Sequence, residues 1–313
     1  MKPWSDRQGR ACACAGPERW SSAGRWARNQ PAHRKRWPYG LVFALGFVIF
    51  CRVPSYAMSP EPALPRPITI AGQPAEEFTV DGCRAFVILP ERPVAGRPQP
   101  WVWYAPTLPG LPAKEETWMF ERFRAAGIAI AGIDVGESFG SPAGRAHFTA
   151  LHRELVQRRG FAPKPVLLAR SRGGLMLYNW AVEHPDSVAA VAGIYPVCNL
   201  ASYPTLAKAC GAYGLSESDL AAHLTAHNPI DRITPLARAG VPILHLHGDQ
   251  DAIVPLEQNS AELAVRYRAA GGRMEVIVFP GQGHNYWSGW FESPALLAFV
   301  IEHATQGENR SPP

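Results

Sequence analysis

The chain has 313 residues, 47% hydrophobic and 18% charged, with a formal net charge of +5. That length and balance suit one large globular domain or two small ones and exclude a disordered or fibrous chain. The charge is local: residues 1–57 hold 10 Lys/Arg against only Asp6 and Glu18, whereas residues 58–313 hold 21 against 24 Asp/Glu. The body is therefore mildly acidic, which removes the electrostatic case for a nucleic-acid partner.

The chain opens on a targeting pattern. Arg34, Lys35 and Arg36 precede an apolar run from Leu41 to Phe50, and Ser55 and Ala57 follow at the spacing of a signal-peptidase site. Ten helical residues reach about 15 Å, half of a ~30 Å hydrocarbon core, so a stable membrane span is not expected. This places residues 1–57 as an N-terminal extension with signal peptide and the product as exported, periplasmic or secreted. The remaining divisions are a linker over 58–67, a domain over 68–305 and a tail over 306–313. An uncleaved anchor is the competing reading.

From residue 68 the elements come in order. Ile68–Ile70, Glu77–Val80 and Arg84–Leu89 read as short strands, the last two joined by the hairpin dipeptide Asp81-Gly82. Near-continuous apolar runs follow at Trp101–Ala105, Ile128–Val135, Val166–Ala169, Val188–Ile194, Ile243–Leu246 and Glu275–Phe279. Such runs suit strands covered on both faces. Between them lie helical segments at Thr117–Ala126, Phe148–Arg159, Leu175–Glu183 and Ser260–Ala270. This alternation predicts an α/β fold with a doubly wound, mostly parallel sheet and an antiparallel edge. Residues 198–240 exceed an ordinary αβ connection and carry their own helix signals, Ser216 before Leu220–Ala226, so they read as a short lid insertion. Cys198 and Cys210 either close a disulfide across that insertion or stay as buried thiols.

Residues 166–174, Val-Leu-Leu-Ala-Arg-Ser-Arg-Gly-Gly, describe a strand, a tight turn with Ser171 at its tip and a helix starting at once. A serine hydroxyl is a weak nucleophile unless it is exposed beside a base, and a sharp elbow flanked by small residues provides that exposure. Ala169 and Gly173 are the small residues; the usual first residue is glycine. The elbow puts the Arg172 N–H at a helix start, where an oxyanion is stabilised. A second oxyanion donor is expected after Trp101–Ala105. Proline has no N–H, which leaves Leu108 first and Thr107 second, with Gly110 behind them.

The last two strands end in His247-Gly248-Asp249-Gln250-Asp251-Ala252-Ile253-Val254-Pro255 and in Pro280-Gly281-Gln282-Gly283-His284. Both lie where open α/β sheets place their sites, and the order Ser, Asp, His is that of an α/β-hydrolase triad. On these motifs residues 101–305 resemble α/β-hydrolases, with the prolyl oligopeptidase and dienelactone hydrolase branches nearest in flavour. The resemblance implies Ser171 as nucleophile, His284 as base and Asp251 as acid, with Asp249 as competitor for the acid. Taken with the targeting pattern, the expectation is an exported carboxylic-ester hydrolase that forms an acyl-enzyme on a small, carbohydrate-linked or acidic ester. A peptidase and a non-catalytic binding module are the alternatives; against the first, the chain leaves no room for a large peptide-selecting propeller.

No cofactor is expected. A metal held by His245, His247 and Asp249 would leave the serine elbow unexplained. Arg170 and Arg172 flank Ser171 and either pair with carboxylates such as Asp134 or Glu137 or bind an acidic group on the substrate. Among Trp103, Tyr104, Trp118, Tyr195, Trp287 and Trp290, several could form a stacking platform; Trp287 and Arg170 are the named substrate-binding candidates.

Overall fold

A computed structural model describes residues 65–306. The N-terminal extension, most of the proposed linker and the tail beyond 306 lie outside the described residues, and so do the export motifs.

Nine strands form a single sheet among the described residues: β1 (Arg66–Ile70), β2 (Gln73–Val80), β3 (Cys83–Ile88), β4 (Trp101–Ala105), β5 (Ala129–Ile133), β6 (Val166–Arg170), β7 (Ala190–Ile194), β8 (Ile243–Gly248) and β9 (Met274–Phe279). Their spatial order is β1-β2-β3-β5-β4-β6-β7-β8-β9. The first three strands join antiparallel and β3 pairs antiparallel with β5, while every pair from β5 to β9 is parallel. The doubly wound, mostly parallel sheet with an antiparallel edge expected from the strand–helix alternation is thus present.

The hairpin at Asp81-Gly82 has both residues at positive φ, 50° and 78°, the backbone twist that a two-residue hairpin needs. Ala71-Gly72 makes a second such turn, with φ 47° and 73°. An alanine in a left-handed position gives no sequence cue; the expected strand Ile68–Ile70 is present within β1, and β2 starts at Gln73, ahead of the expected Glu77. β1 also takes in Arg66 and Pro67, which the linker expectation had covered.

Helices cover both faces: α1 (Thr117–Ala125), α2 (Pro142–Arg153), α3 (Gly173–Ala181), α4 (Leu206–Tyr213), α5 (Glu217–Ala222), α6 (Pro229–Arg232), α7 (Thr234–Arg238), α8 (Ser260–Ala269), α9 (Ser288–Phe291) and α10 (Pro294–Gln306). Side chains alternate across each strand, so β4 sends Trp101 and Trp103 into one core and Val102 and Tyr104 into the other. The first core is closed by α2, α3 and α8 through Phe148, Leu177 and Tyr267; the second by α1 and α10 through Phe120, Phe123, Leu296 and Val300. Each such buried side chain contributes roughly 1.5–3 kcal/mol.

Two local expectations change. α2 begins six residues before the expected start, because Ser141 caps it and Pro142 supplies the φ of a first helical turn. β9 is an edge strand with Val278 42% exposed, so it is not covered on both faces.

The insertion between β7 and β8 holds α4 to α7, with the Ser216 Oγ accepting the Asp219 N–H at 3.1 Å as the cap of α5. It packs on Leu175, Val197 and Val254 through Leu200, Ala209 and Leu220. None of its described residues lines the cavity at Ser171. Cys198 and Cys210 are both free thiols, the second of the two alternatives: Cys198 is buried with Sγ toward the Pro196 carbonyl, and half-buried Cys210 turns toward Ala207 in α4. Among the described residues no helix is long and apolar enough to cross a membrane.

Candidate active site

The elbow between β6 and α3 holds Ser171 at φ 50°, a left-handed conformation rare for a side chain of its kind. Three backbone hydrogen bonds hold it there. The Ser171 N–H donates to Ile194 at 3.0 Å, and its carbonyl accepts the N–H groups of Gly174 and Val197 at 2.9 and 2.8 Å. Strain of this kind persists only where the surroundings over-determine it. Gly173 is required because a Cβ there would lie 2.0 Å from the Ala105 carbonyl oxygen. Ala169 is fully buried opposite Ala105 and Gly193, so its methyl fits where the usual residue is glycine.

From the tip of this turn the Ser171 Oγ lies 2.8 Å from His284 Nε2, and His284 Nδ1 lies 2.8 Å from Asp251 Oδ2. The other Asp251 oxygen accepts the N–H groups of Ile253 and Val254 at 3.0 and 2.8 Å. Burial by itself would raise the Asp251 pKa. Hydrogen bonds from His247 and His284, and from the Val254 N–H, outweigh it and hold the carboxyl well below the usual range.

Asp249 has a different place. Its Oδ1 accepts the Gly281 N–H at 2.7 Å, tying the β8 loop to the loop that carries His284. His245 and His247 face Ser260, and among the described residues no group of three or more His, Cys, Asp or Glu could hold a metal ion.

The Arg172 N–H follows Ser171 directly at the start of α3. Leu108 is corrected as the second oxyanion donor. Its N–H donates to the Leu111 carbonyl at 3.2 Å, and the Leu111 N–H returns the bond at 2.8 Å. This closes a small turn whose outer side, residues 107–110, lines a neighbouring cleft. Thr107 is the remaining candidate from the sequence, through its main chain; its hydroxyl is buried toward Gly132.

A cavity of about 190 Å³ opens beside Ser171 and His284, walled by Pro106, Leu111, Tyr195, Ile253, Asn285 and Tyr286 with Arg170 and Arg172. Arg170 and Arg172 both pair inside the protein. Arg172 meets Glu137 at 3.0 Å, one of the expected carboxylates. Arg170 meets Glu116, which is fully buried and also accepts the Tyr104 hydroxyl and the Ala113 N–H, each at 2.8 Å. Arg170 lines the cavity, and of the two alternatives for its charge the protein-paired one is seen, with Glu116 as the buried partner. Asp134 pairs instead with Arg84 at 3.2 Å.

Trp287 is corrected too. Its ring packs edge-on against Phe279 and Trp290 and lies outside the cavity, where Tyr286 takes the wall position. Of the other aromatics, Trp103, Tyr104 and Trp290 are fully buried, and only Tyr195 reaches the cavity, with its ring 4.2 Å from that of His284. The sequence reading missed Glu116 and Tyr286. Lys114-Glu115-Glu116 reads as a solvated helix start; the motif residue His284, two positions earlier, was the available signal for Tyr286.

A profile of the prolyl oligopeptidase family matches residues 147–305. The acylamino-acid-releasing enzyme of Arabidopsis thaliana is 28% identical over 127 residues, covering 38% of this chain and 16% of that enzyme. A puromycin hydrolase superposes at TM-score 0.56 and 20% identity over 79% of this chain and 39% of its own. An S-formylglutathione hydrolase from Agrobacterium tumefaciens does so at TM-score 0.58 and 16% identity, covering 76% and 97%. The chain thus spans about a sixth of the curated relative and well under half of the puromycin hydrolase. Fold and matched family lead to one conclusion: the chain belongs to the prolyl oligopeptidase family and has the α/β-hydrolase fold.

Proposed function

We propose that this chain is an exported carboxylic-ester hydrolase that works through an acyl-enzyme on Ser171, with His284 as general base and Asp251 as its orienting acid. One observation carries the reading: the 2.8 and 2.8 Å relay ends at a largely apolar cavity whose two arginines both have protein carboxylates as partners. With no carboxylate among its described lining residues to pair with a charged peptide amine, the cavity favours a neutral ester.

His284 Nε2 removes the Ser171 proton as Oγ attacks the ester carbonyl. The oxyanion is held by the N–H of Arg172, with that of Thr107 as the second donor. Asp251 stabilises the imidazolium, which then protonates the leaving alcohol. Water attacks the acyl-enzyme by the same route in reverse. The exposed ring of Tyr286 at the rim, 57% exposed, supports a sugar-linked or other flat alcohol lying against it. The basic–apolar–small pattern over residues 34–57 supports export.

A second reading is favoured by the family match and by the name of the Arabidopsis relative: hydrolysis of an N-acylated peptide bond, which also lacks a free amine. Comparing kcat/KM on p-nitrophenyl esters and on N-acyl amino-acid anilides decides between them. Anilides preferred by tenfold or more would overturn the ester reading. Failure of Ser171 to react with a fluorophosphonate would overturn both. N-terminal sequencing of material recovered outside the cytoplasm tests export, with a start near Met58 expected.

A further inference from the structure

Four buried polar side chains that the proposed mechanism does not use form a line leading to Asp251. Tyr178 on α3, His245 and His247 on β8 and Ser260 at the start of α8 are all 0% exposed. The Tyr178 hydroxyl lies 2.6 Å from His245 Nε2, and His245 Nδ1 lies 2.9 Å from the Ser260 Oγ. The same Oγ lies 2.7 Å from His247 Nδ1. His247 Nε2 lies 2.8 Å from the Val254 carbonyl and 3.5 Å from Asp251 Oδ2.

The direction of every proton in this line follows from its ends. Tyr178 has His245 as its hydrogen-bond partner among the described residues. If the phenol accepted from His245, its own O–H would be buried without an acceptor, which is costly. It therefore donates, and His245 Nε2 is a lone pair. A neutral imidazole with a bare Nε2 carries its proton on Nδ1, which donates to Ser260. Ser260 has one proton, and with its oxygen accepting from His245 that proton points at His247 Nδ1. His247 Nδ1 is then also a lone pair. Its single proton sits on Nε2, facing the Val254 carbonyl, an acceptor only, and the Asp251 carboxylate. Both ends demand the same direction.

We propose that Tyr178, His245 and Ser260 are positioning residues that hold His247 as its neutral Nε2–H tautomer beside Asp251. A second proton on His247 Nδ1 would have to displace the Ser260 hydroxyl proton that points at it. A cation there would weaken the pull of Asp251 on His284 as the imidazolium of His284 forms. With the line in place, Asp251 faces two main-chain N–H groups, one neutral N–H and His284, so His284 is the only partner that gains charge during the reaction. The groups around the line carry no competing charge. Cys198 and Tyr267 face Tyr178, and burial pushes both of their pKa values up, keeping them neutral. The Cys198 Sγ turns to Pro196, and the Tyr267 hydroxyl donates to Val241 at 2.5 Å. Asp251 is the charged group in contact with His247.

The effect on rate rests on the triad reading above; the tautomers do not. Nitrogen-15 NMR of the histidine rings in the full chain reads them directly. The expected result is one proton on His247 Nε2 and one on His245 Nδ1, unchanged through the pH range in which a free imidazole titrates. A proton on His247 Nδ1, as the other tautomer or as a cation, overturns the proposal whatever the enzyme hydrolyses. Tyr178→Phe removes the end of the line. It is expected to let His247 titrate and to steepen the acid limb of log kcat/KM on a neutral ester from one titrating group to two. kcat should fall several-fold on that limb with KM unchanged. An unaltered acid limb and an untitrated His247 in the folded variant would reduce Tyr178 to a packing role. A Ser171 that does not react with a fluorophosphonate would sink the triad reading and leave the tautomer result standing.

Discussion

Arg170 and Glu116 form an ion pair whose side chains are only 5% and 0% exposed, one residue before Ser171. Glu116 also accepts the Ala113 N–H, so the pair joins the loop after β4 to the serine elbow. The Arg170 guanidinium lies 5.1 Å from the Tyr286 ring and 4.9 Å from that of Phe291, reaching the loop of His284 as well. Three loops of the site converge on one neutralised charge.

Breaking that pair from one side leaves a buried charge alone. Arg170→Met and Glu116→Gln are each expected to lower stability by about 3–5 kcal/mol. kcat/KM should fall by the same factor on a neutral ester and on a carboxylate-bearing one. Thermal melts alongside both assays check this; a loss confined to the acidic ester would return Arg170 to substrate binding.

The two aspartates after β8 should separate cleanly. Asp251→Asn loses the carboxylate that orients and supports His284, and kcat is expected to drop by about 10⁴-fold. Asp249→Asn weakens one hydrogen bond to Gly281, worth about 1 kcal/mol, so roughly a fivefold loss is expected. Steady-state kinetics on one ester ranks them, and the reverse order would transfer the role of acid to Asp249.

Asp251 also predicts an acid dependence of stability. Its folded pKa lies below that of the unfolded chain, about 3.9, so its stabilisation is full above that value. It is lost as pH falls through the folded pKa. Asp251→Asn is therefore expected to flatten the decline of unfolding free energy below about pH 4. Denaturant titrations of both proteins across that range measure the difference. Parallel curves would show that the carboxyl titrates alike in the two states.

Gly173→Ala should be poorly tolerated although alanine favours helices. The added Cβ meets main-chain atoms of Ala105 and Pro106, 2.0–2.6 Å away, which cannot step aside as a flexible side chain would. A stability loss of about 1–3 kcal/mol is expected from overpacking. Activity should fall further, because the elbow must shift. Wild-type kcat in a fully folded Gly173→Ala protein would count against the close approach at this turn.

What the sequence by itself determined is what short stretches of chain encode. Apolar runs over Trp101–Ala105 and Val166–Ala169 marked the central strands, because burial on both faces requires unbroken hydrophobicity. The small residues around Ser171 and the spacing within 247–255 and 281–284 marked the three side chains that meet. Only the tertiary structure decided which partner each polar group takes, because that depends on segments far apart in the chain. Glu116 reaches Arg170 across 54 positions, and Ser260 reaches His245 and His247 from another element. Leu108 lost its expected role to a turn closed by Leu111, and Trp287 lost its place to its neighbour Tyr286 through packing on Phe279 and Trp290. α10 too lacks a chemical motif, and its burial of Leu296 and Val300 against the sheet is what identifies it. Periodicity and motif spacing are properties of one segment, whereas pairing and burial are set by where two segments meet.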